Sequence, residues 1–405
     1  MPIRLRNPFL LRSYTTFAAL ILLLSVIFLT GCGETYRQSL TPIIPPGGDP
    51  QATHYAVAIS KNGGADGAGM LAQINVPGDV NMGNRQVGVD PVHASFAPVQ
   101  SRVWIVNRGG DSVTAYVPTV LSAPSATLSL EPNSGASFVA STLNQAFVAE
   151  SNLDKVAMID ANQTVAVAFV PVGDNPVSIA ATQALAKIYV ANRNDSTVSV
   201  ISTSLLQTTG TPIPVGSGPV ATAIQTSGAY VYVASDAGNS ISVIDTNSDT
   251  EIQRVTGLSA PSQLVWDNGL KRLYVVNSGS NTVSIFNASA PQLTLLRTVN
   301  LSGAPLGIAV LDDGSKFYVL RGGSPGQVDV YDAQSFLLRT TITVQNDPVS
   351  IAASPGSTKV YVANRAGDPN TASLANGSIS IIKTLDESVI NIAPAGPNPF
   401  TVLAQ

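Results

Sequence analysis

The stretch Lys187-Ile188-Tyr189-Val190-Ala191-Asn192-Arg193 returns almost unchanged as Lys359-Val360-Tyr361-Val362-Ala363-Asn364-Arg365. Weaker copies place an aromatic residue at Tyr55, Trp104, Phe147, Tyr189, Tyr232, Tyr274, Tyr318 and Tyr361, with successive spacings of 49, 43, 42, 43, 42, 44 and 43 residues. A period near 43 residues is that of a propeller blade, a four-stranded unit that can bury its faces only against its neighbours.

Within each period four short strands can be read, A to D in chain order. Strand A starts at a proline, as in Pro176-Val177-Ser178-Ile179-Ala180-Ala181 and Pro348-Val349-Ser350-Ile351-Ala352-Ala353. Strand B is the Tyr-Val-Ala-Asn run, joined to A by tight turns such as Asp267-Asn268-Gly269 and Asp312-Asp313-Gly314. Strand C is a Val/Ile/Ser run (Val198-Ser199-Val200-Ile201), and strand D, for example Glu251 to Val255, is more polar. The gradient has a cause: middle strands covered on both faces become continuously apolar, the crowded innermost strand takes Ala, Ser and Gly, and the outermost meets water.

The two ends of the chain complete the count. Residues 54 to 90 supply strands B, C and D with no strand A before them, and Pro399-Phe400-Thr401-Val402-Leu403-Ala404 matches strand A with nothing after it. Pairing 399–404 with the N-terminal strands of 54–90 gives an all-β, eight-bladed propeller of four-stranded antiparallel blades over 53–405, closed without free sheet edges. Seven blades with a disordered or packed-on N-terminal segment is the alternative. The recurring runs, here Tyr-Val-Ala-Asn, Tyr-Val-Ala-Ser and Tyr-Val-Val-Asn, resemble the YVTN-type β-propeller repeat family over about residues 54 to 404. That resemblance implies the fold. It leaves function open, since proteins with such repeats include surface proteins, lactonase-like enzymes and others.

The front of the chain reads as an address. Arg4, Arg6 and Arg12 precede the apolar run Phe17 to Leu29, the order of an export signal. The charge-free stretch from Ser13 to Gly33 is also long enough to cross a bilayer, so an uncleaved anchor is the alternative. Leu29-Thr30-Gly31-Cys32 resembles the lipobox of bacterial lipoproteins, and Cys32 is the only cysteine of the chain. The expectation is a signal peptide over 1–31, diacylglycerol and an acyl chain such as palmitate on Cys32, and a Pro/Gly-rich tether over 32–52. Gly33 is not the aspartate that retains many lipoproteins at the inner membrane, which by that resemblance favours the outer membrane of the cell envelope.

Composition narrows the partners. With 44% apolar and 11% charged residues the chain is a packed protein, and its net charge of -4 gives no electrostatic grip on nucleic acid. Cleavage would remove three arginines and no acid, taking -4 to -7, so membrane binding is expected through the lipid anchor alone.

Candidate chemistry is sparse. Strand A should line the axial channel, and its only more polar members are His93, Gln225, Gln263, Asp267 and Gln405, with no Glu, Lys or Arg. Two histidines, His54 and His93, are too few for a His-rich metal site, and no metal or other cofactor is expected. His93 reads as a hydrogen-bonded channel residue or a ligand contact. Trp266 reads as an irregular, exposed aromatic and a further candidate ligand or partner contact. Arg108, Arg193, Arg321 and Arg365 read as one column ending strand B, with Asp90, Asp174 and Asp347 placed before strand A as structural partners of Arg108, Arg193 and Arg365. Arg321, without such an acid, is the candidate partner contact. No catalytic set is legible, and the leading expectation is a non-enzymatic binding or scaffolding module for a protein or polysaccharide. A lactonase-like or quinone-dependent enzyme would require Asp267, His93 and an arginine around one cavity, and a structural surface-layer component is a third reading.

Overall fold

The computed structural model describes residues 54–62, 67–97, 102–118, 125–162, 164–366 and 376–404. The expectations for the leader, for Cys32 and its tether, and for Gln405 lie outside these residues.

Each sequence period folds into its own antiparallel sheet in the order A-B-C-D, and there are eight of them. Seven are continuous in sequence. The eighth is split: Pro399–Ala404 pairs with Tyr55–Ser60, which pairs with Ala68–Asn75 and then Val80–Val89. The molecule is therefore an eight-bladed all-β propeller, and the seven-blade alternative falls because the N-terminal strands form a blade of their own. Counting that split blade as blade 1, the others span 91–129, 136–171, 176–214, 219–256, 261–300, 305–343 and 346–394. Blade 4 departs from the pattern at its outer edge, where Gln207–Thr208 and Ile213–Pro214 share the place of one strand D.

The core is divided among the blade interfaces. Eight clusters of buried side chains follow the ring. The seam between blades 8 and 1 is packed like the rest, with Tyr361, Ala363, Ile379 and Ile381 against Ala56, Ala58 and Ile74. Each large side chain buried this way contributes about 1.5–3 kcal/mol, so no blade is stable by itself. The aromatic column is buried in blades 2 to 8. In blade 1 its place opposite the fifth residue of strand A is taken by Val57, which faces Leu403 as Tyr189 faces Ala180. Tyr55 lies two residues earlier, which accounts for two of the extra residues in its spacing to Trp104.

Two backbone devices recur at the start of strand A. The residue before it is left-handed in seven blades, at Asp90, Gly135, Asn175, Gly218, Ala260, Asp347 and Asn398. Its carbonyl accepts the N–H that follows strand B, as in Arg108 to Asp90 (3.0 Å) and Arg193 to Asn175 (2.9 Å). One residue after the proline the A–B register slips, for instance between Pro176 and Ser178. Proline brings no N–H to a ladder and so suits the bulge, which blade 3 forms with Ala136 in its place.

Side chains then link neighbouring blades. The residue opening strand B reaches the C–D turn of the next blade, through Arg102 to Thr164, Lys187 to Asp249, Lys316 to the Thr384 carbonyl and Lys359 to Asp79 and the Val76 carbonyl.

Candidate functional site

The third residues of the eight A strands form one layer around the axis: Thr401, His93, Phe138, Ser178, Ala221, Gln263, Gly307 and Ser350. A cavity of about 520 Å³ opens in this channel, lined by His93, Phe138, Gln263, Ser350 and Thr401 of this layer, and no Asp, Glu, Lys or Arg among the described residues lines it.

Several polar members of that layer are committed to holding blades together. The Val139 N–H donates to His93 Nδ1 (3.1 Å), the Thr222 N–H to Ser178 Oγ (3.1 Å) and the Val402 N–H to Ser350 Oγ (3.1 Å). In each case a backbone donor on the free edge of one strand A is satisfied by the blade before it. His93 also stacks on Phe138, with ring centroids 3.9 Å apart. Burial holds its pKa down at about 4, so the ring is neutral near pH 7. Because Nδ1 accepts, the proton sits on Nε2, which is the donor left to the cavity.

Asp267 does not share that cavity. It is 5% exposed at the end of strand A in blade 6, where its carboxylate accepts the Gly269 and Leu270 N–H groups (2.8 and 3.2 Å) and shapes the turn. Trp266 is a half-buried wedge, stacked on Tyr232 at 6.1 Å between blades 5 and 6, and not an exposed aromatic. His54 stands exposed before Tyr55, where its carbonyl accepts the Val76 N–H at 3.2 Å.

Arg321 is not available for a partner. Its guanidinium is bidentate to Asp329 (2.6 and 2.8 Å), and Thr341 donates to the same carboxylate (2.7 Å). The register explains the error. Arg321 aligns with Asn192, the last residue of strand B, and not with Arg193 outside the strand. At that position Asn107, Asn192, Asn277 and Asn364 donate to Thr114, Ser199, Ser284 and Ser380 of strand C (2.9 to 3.1 Å). Blade 7 replaces this Asn–Ser pair with Arg–Asp at the same two places.

Blade 3 breaks the same column differently. Glu150 takes the Asn position and Ala157 the hydroxyl position, leaving a fully buried carboxyl with no side-chain hydrogen-bonding partner among the described residues. Burial, reinforced by the Glu131 charge, raises its pKa to about 7. Aligning the last strand-B residues of the repeats would have exposed both Arg321 and Glu150.

The expected arginine–aspartate pairs are mostly remade. Arg193 meets Asp236 of the following blade at 2.8 Å, Asp90 meets Lys61 at 3.1 Å, and Asp174 accepts from Asn194 at 3.0 Å. Only Asp347 and Arg365 come within ion-pair range, at 3.8 Å and well exposed. Asp90 and Asp347 occupy the left-handed position, which Asp, Asn and Gly tolerate best, and this accounts for their recurrence without an arginine.

No family model matches the chain, and no curated protein matches it. Solved structures do share its fold. Hydrazine synthase from Kuenenia stuttgartiensis is similar at a TM-score of 0.56 and 19% identity, covering 73% of this chain and 95% of that one. The dihydro-heme d1 dehydrogenase NirN in complex with DHE reaches 0.72 at 11% identity, covering 91% and 79%. AztD from Citrobacter koseri reaches 0.66 at 11% identity, covering 87% and 98%. At such identities the likeness is one of fold.

Proposed function

We propose that this chain is a lipid-anchored β-propeller of the bacterial cell envelope, acting as a non-enzymatic binding or scaffolding module for a protein or polysaccharide. The carrying observation is the axial cavity: none of the described residues lining it is an acid or a fixed cation, and His93 and Ser350 in its wall tie blade to blade. Hydrolytic chemistry needs a positioned acid, base or electrophile, and the groups that would supply one, Asp267 and the arginines, stand elsewhere. The resemblance of Leu29-Thr30-Gly31-Cys32 to a lipobox and of the blades to YVTN-type repeats supplies the address. An enzyme of the lactonase-like or quinone-dependent type remains the rival reading.

Crosslinking in intact cells, followed by capture of the tagged protein and mass spectrometry, tests the proposal with Cys32→Ala as the unanchored control. The expected result is an envelope partner that is captured reproducibly and lost in the control. A correctly located, abundant protein that captures none, yet opens a lactone in solution, overturns it.

A further inference from the structure

On the ring face that carries the B–C turns, Lys61, Arg193 and Arg365 each have a carboxylate within 4 Å. Arg108 has none. Its backbone N–H bonds to Asp90, its Nε approaches the Ala136 carbonyl at 3.4 Å, and its two terminal nitrogens have no partner among the described residues. It stands at the edge of a cleft of about 480 Å³ formed where blades 2, 3 and 4 meet, with Asp111, Asn133, Ser151, Asn152 and Asn175 along its walls.

The walls are fixed in place. Asp111 accepts the Asn133 N–H (2.9 Å) and both the N–H and the hydroxyl of Ser134 (3.0 and 2.8 Å). Partial burial pushes its pKa up, but these bonds outweigh it and leave the carboxyl below its ordinary value, hence ionised. The Asn152 side chain lies over Gly135, where a Cβ would meet it at 2.4 to 2.6 Å, so only glycine leaves it room. The Asn133 and Asn152 amides have no side-chain partners among the described residues, and Asn175 gives only a long bond of 3.4 Å to Asn194.

This set of groups restricts the ligand. A multiply charged anion would meet the Asp111 carboxylate, and a neutral molecule would leave the guanidinium fork unused. Planar amides beside a locked carboxylate suit hydroxyl groups, which donate to one and accept from the other. The volume is that of an ordinary small-molecule site. We infer that the cleft binds an acidic saccharide unit, with a uronate carboxylate on Arg108 and ring hydroxyls on Asp111, Asn133 and Asn152. The inference rests on the binding-module reading and names what one face takes.

Calorimetric titration of the detergent-purified full chain with digalacturonic acid, and in parallel with uncharged galactobiose, tests it. The acid should bind, the neutral sugar about tenfold more weakly, and Arg108→Ala should remove about tenfold of the acid's affinity while leaving galactobiose unchanged. Asn152→Ala should weaken both sugars. Arg365→Ala, on the same face but outside the cleft, should change neither. Each variant's thermal midpoint is checked, and Arg108→Lys, which keeps the charge and loses the fork, replaces Arg108→Ala if the latter does not fold. No binding of digalacturonic acid, or equal binding by the arginine variants and the wild type, overturns the inference. Its failure together with a captured protein partner leaves the scaffold reading standing.

Discussion

Glu150 in blade 3 and Arg321 in blade 7 occupy the same place in two copies of one motif and impose opposite demands. Glu150 has an ordinary value of 4.5 and is raised to about 7 in the fold. The unfolded chain releases this proton first as pH rises, so stability falls between about pH 4.5 and 7 and then levels off. Glu150→Gln should therefore be nearly neutral at pH 4 and stabilising at pH 8, by about 3 kcal/mol for a shift of this size. Chemical denaturation at the two pH values measures it, and an equal effect at both would refute the assignment. Arg321→Ala should cost about 3–5 kcal/mol, because it strands the buried Asp329 carboxylate. The double substitution Arg321→Asn with Asp329→Ser recreates the Asn192–Ser199 arrangement, and most of that loss should be recovered in the same unfolding assay.

At the scale of the element, the strand that closes the ring is Pro399–Ala404; beyond its ladder the Val402 N–H donates to Ser350 Oγ at 3.1 Å, and further bonds tie the rest of the seam between blades 8 and 1. Ser60 Oγ donates to the Ala395 carbonyl at 2.7 Å, and Lys359 binds Asp79 and the Val76 carbonyl at 2.6 Å each across the seam. Lys359→Ala should cost about 1.5–3 kcal/mol, since its bonds are charge-assisted and largely sheltered. A chain ending at residue 398 leaves one edge of Tyr55–Ser60 unpaired. Hydrogen exchange at residues 55–60 should rise sharply in it and the protein should associate through that edge, whereas protection equal to that of the full chain would mean the strand is dispensable.

At the scale of the whole molecule, every blade has two neighbours and every interface has its own buried cluster, so there is no terminal repeat from which unfolding can fray. The propeller should unfold in one transition, with tryptophan fluorescence and circular dichroism changing together; Trp104 and Trp266 report blade interfaces 2–3 and 5–6. Separate transitions at the two probes would show that closure does not couple the blades. The charge distribution also belongs to this scale. Among the described residues the axial cavity has no fixed charge in its lining, whereas the face with the B–C turns carries Lys61, Arg108, Arg193 and Arg365, the first, third and fourth of them beside carboxylates.

The fold was legible in the sequence because its evidence is local and repeated. The 43-residue period, the proline opening strand A and the apolar middle strands each follow from short-range sterics and from which faces are covered, and the lone strand A at 399–404 required a partner at 55–60. The site was less legible. Arg321 and Arg193 look like one column until the B–C register separates them by a residue, and a shift of one residue turns a side chain to the opposite face. Asp90 and Asp347 look like partners of arginine until the left-handed backbone gives them another reason to be there. Periodicity and strand order are thus properties of the sequence alone. Which cation meets which acid was decided only by the tertiary structure, because the choice depends on side-chain direction and on groups brought alongside from the next blade.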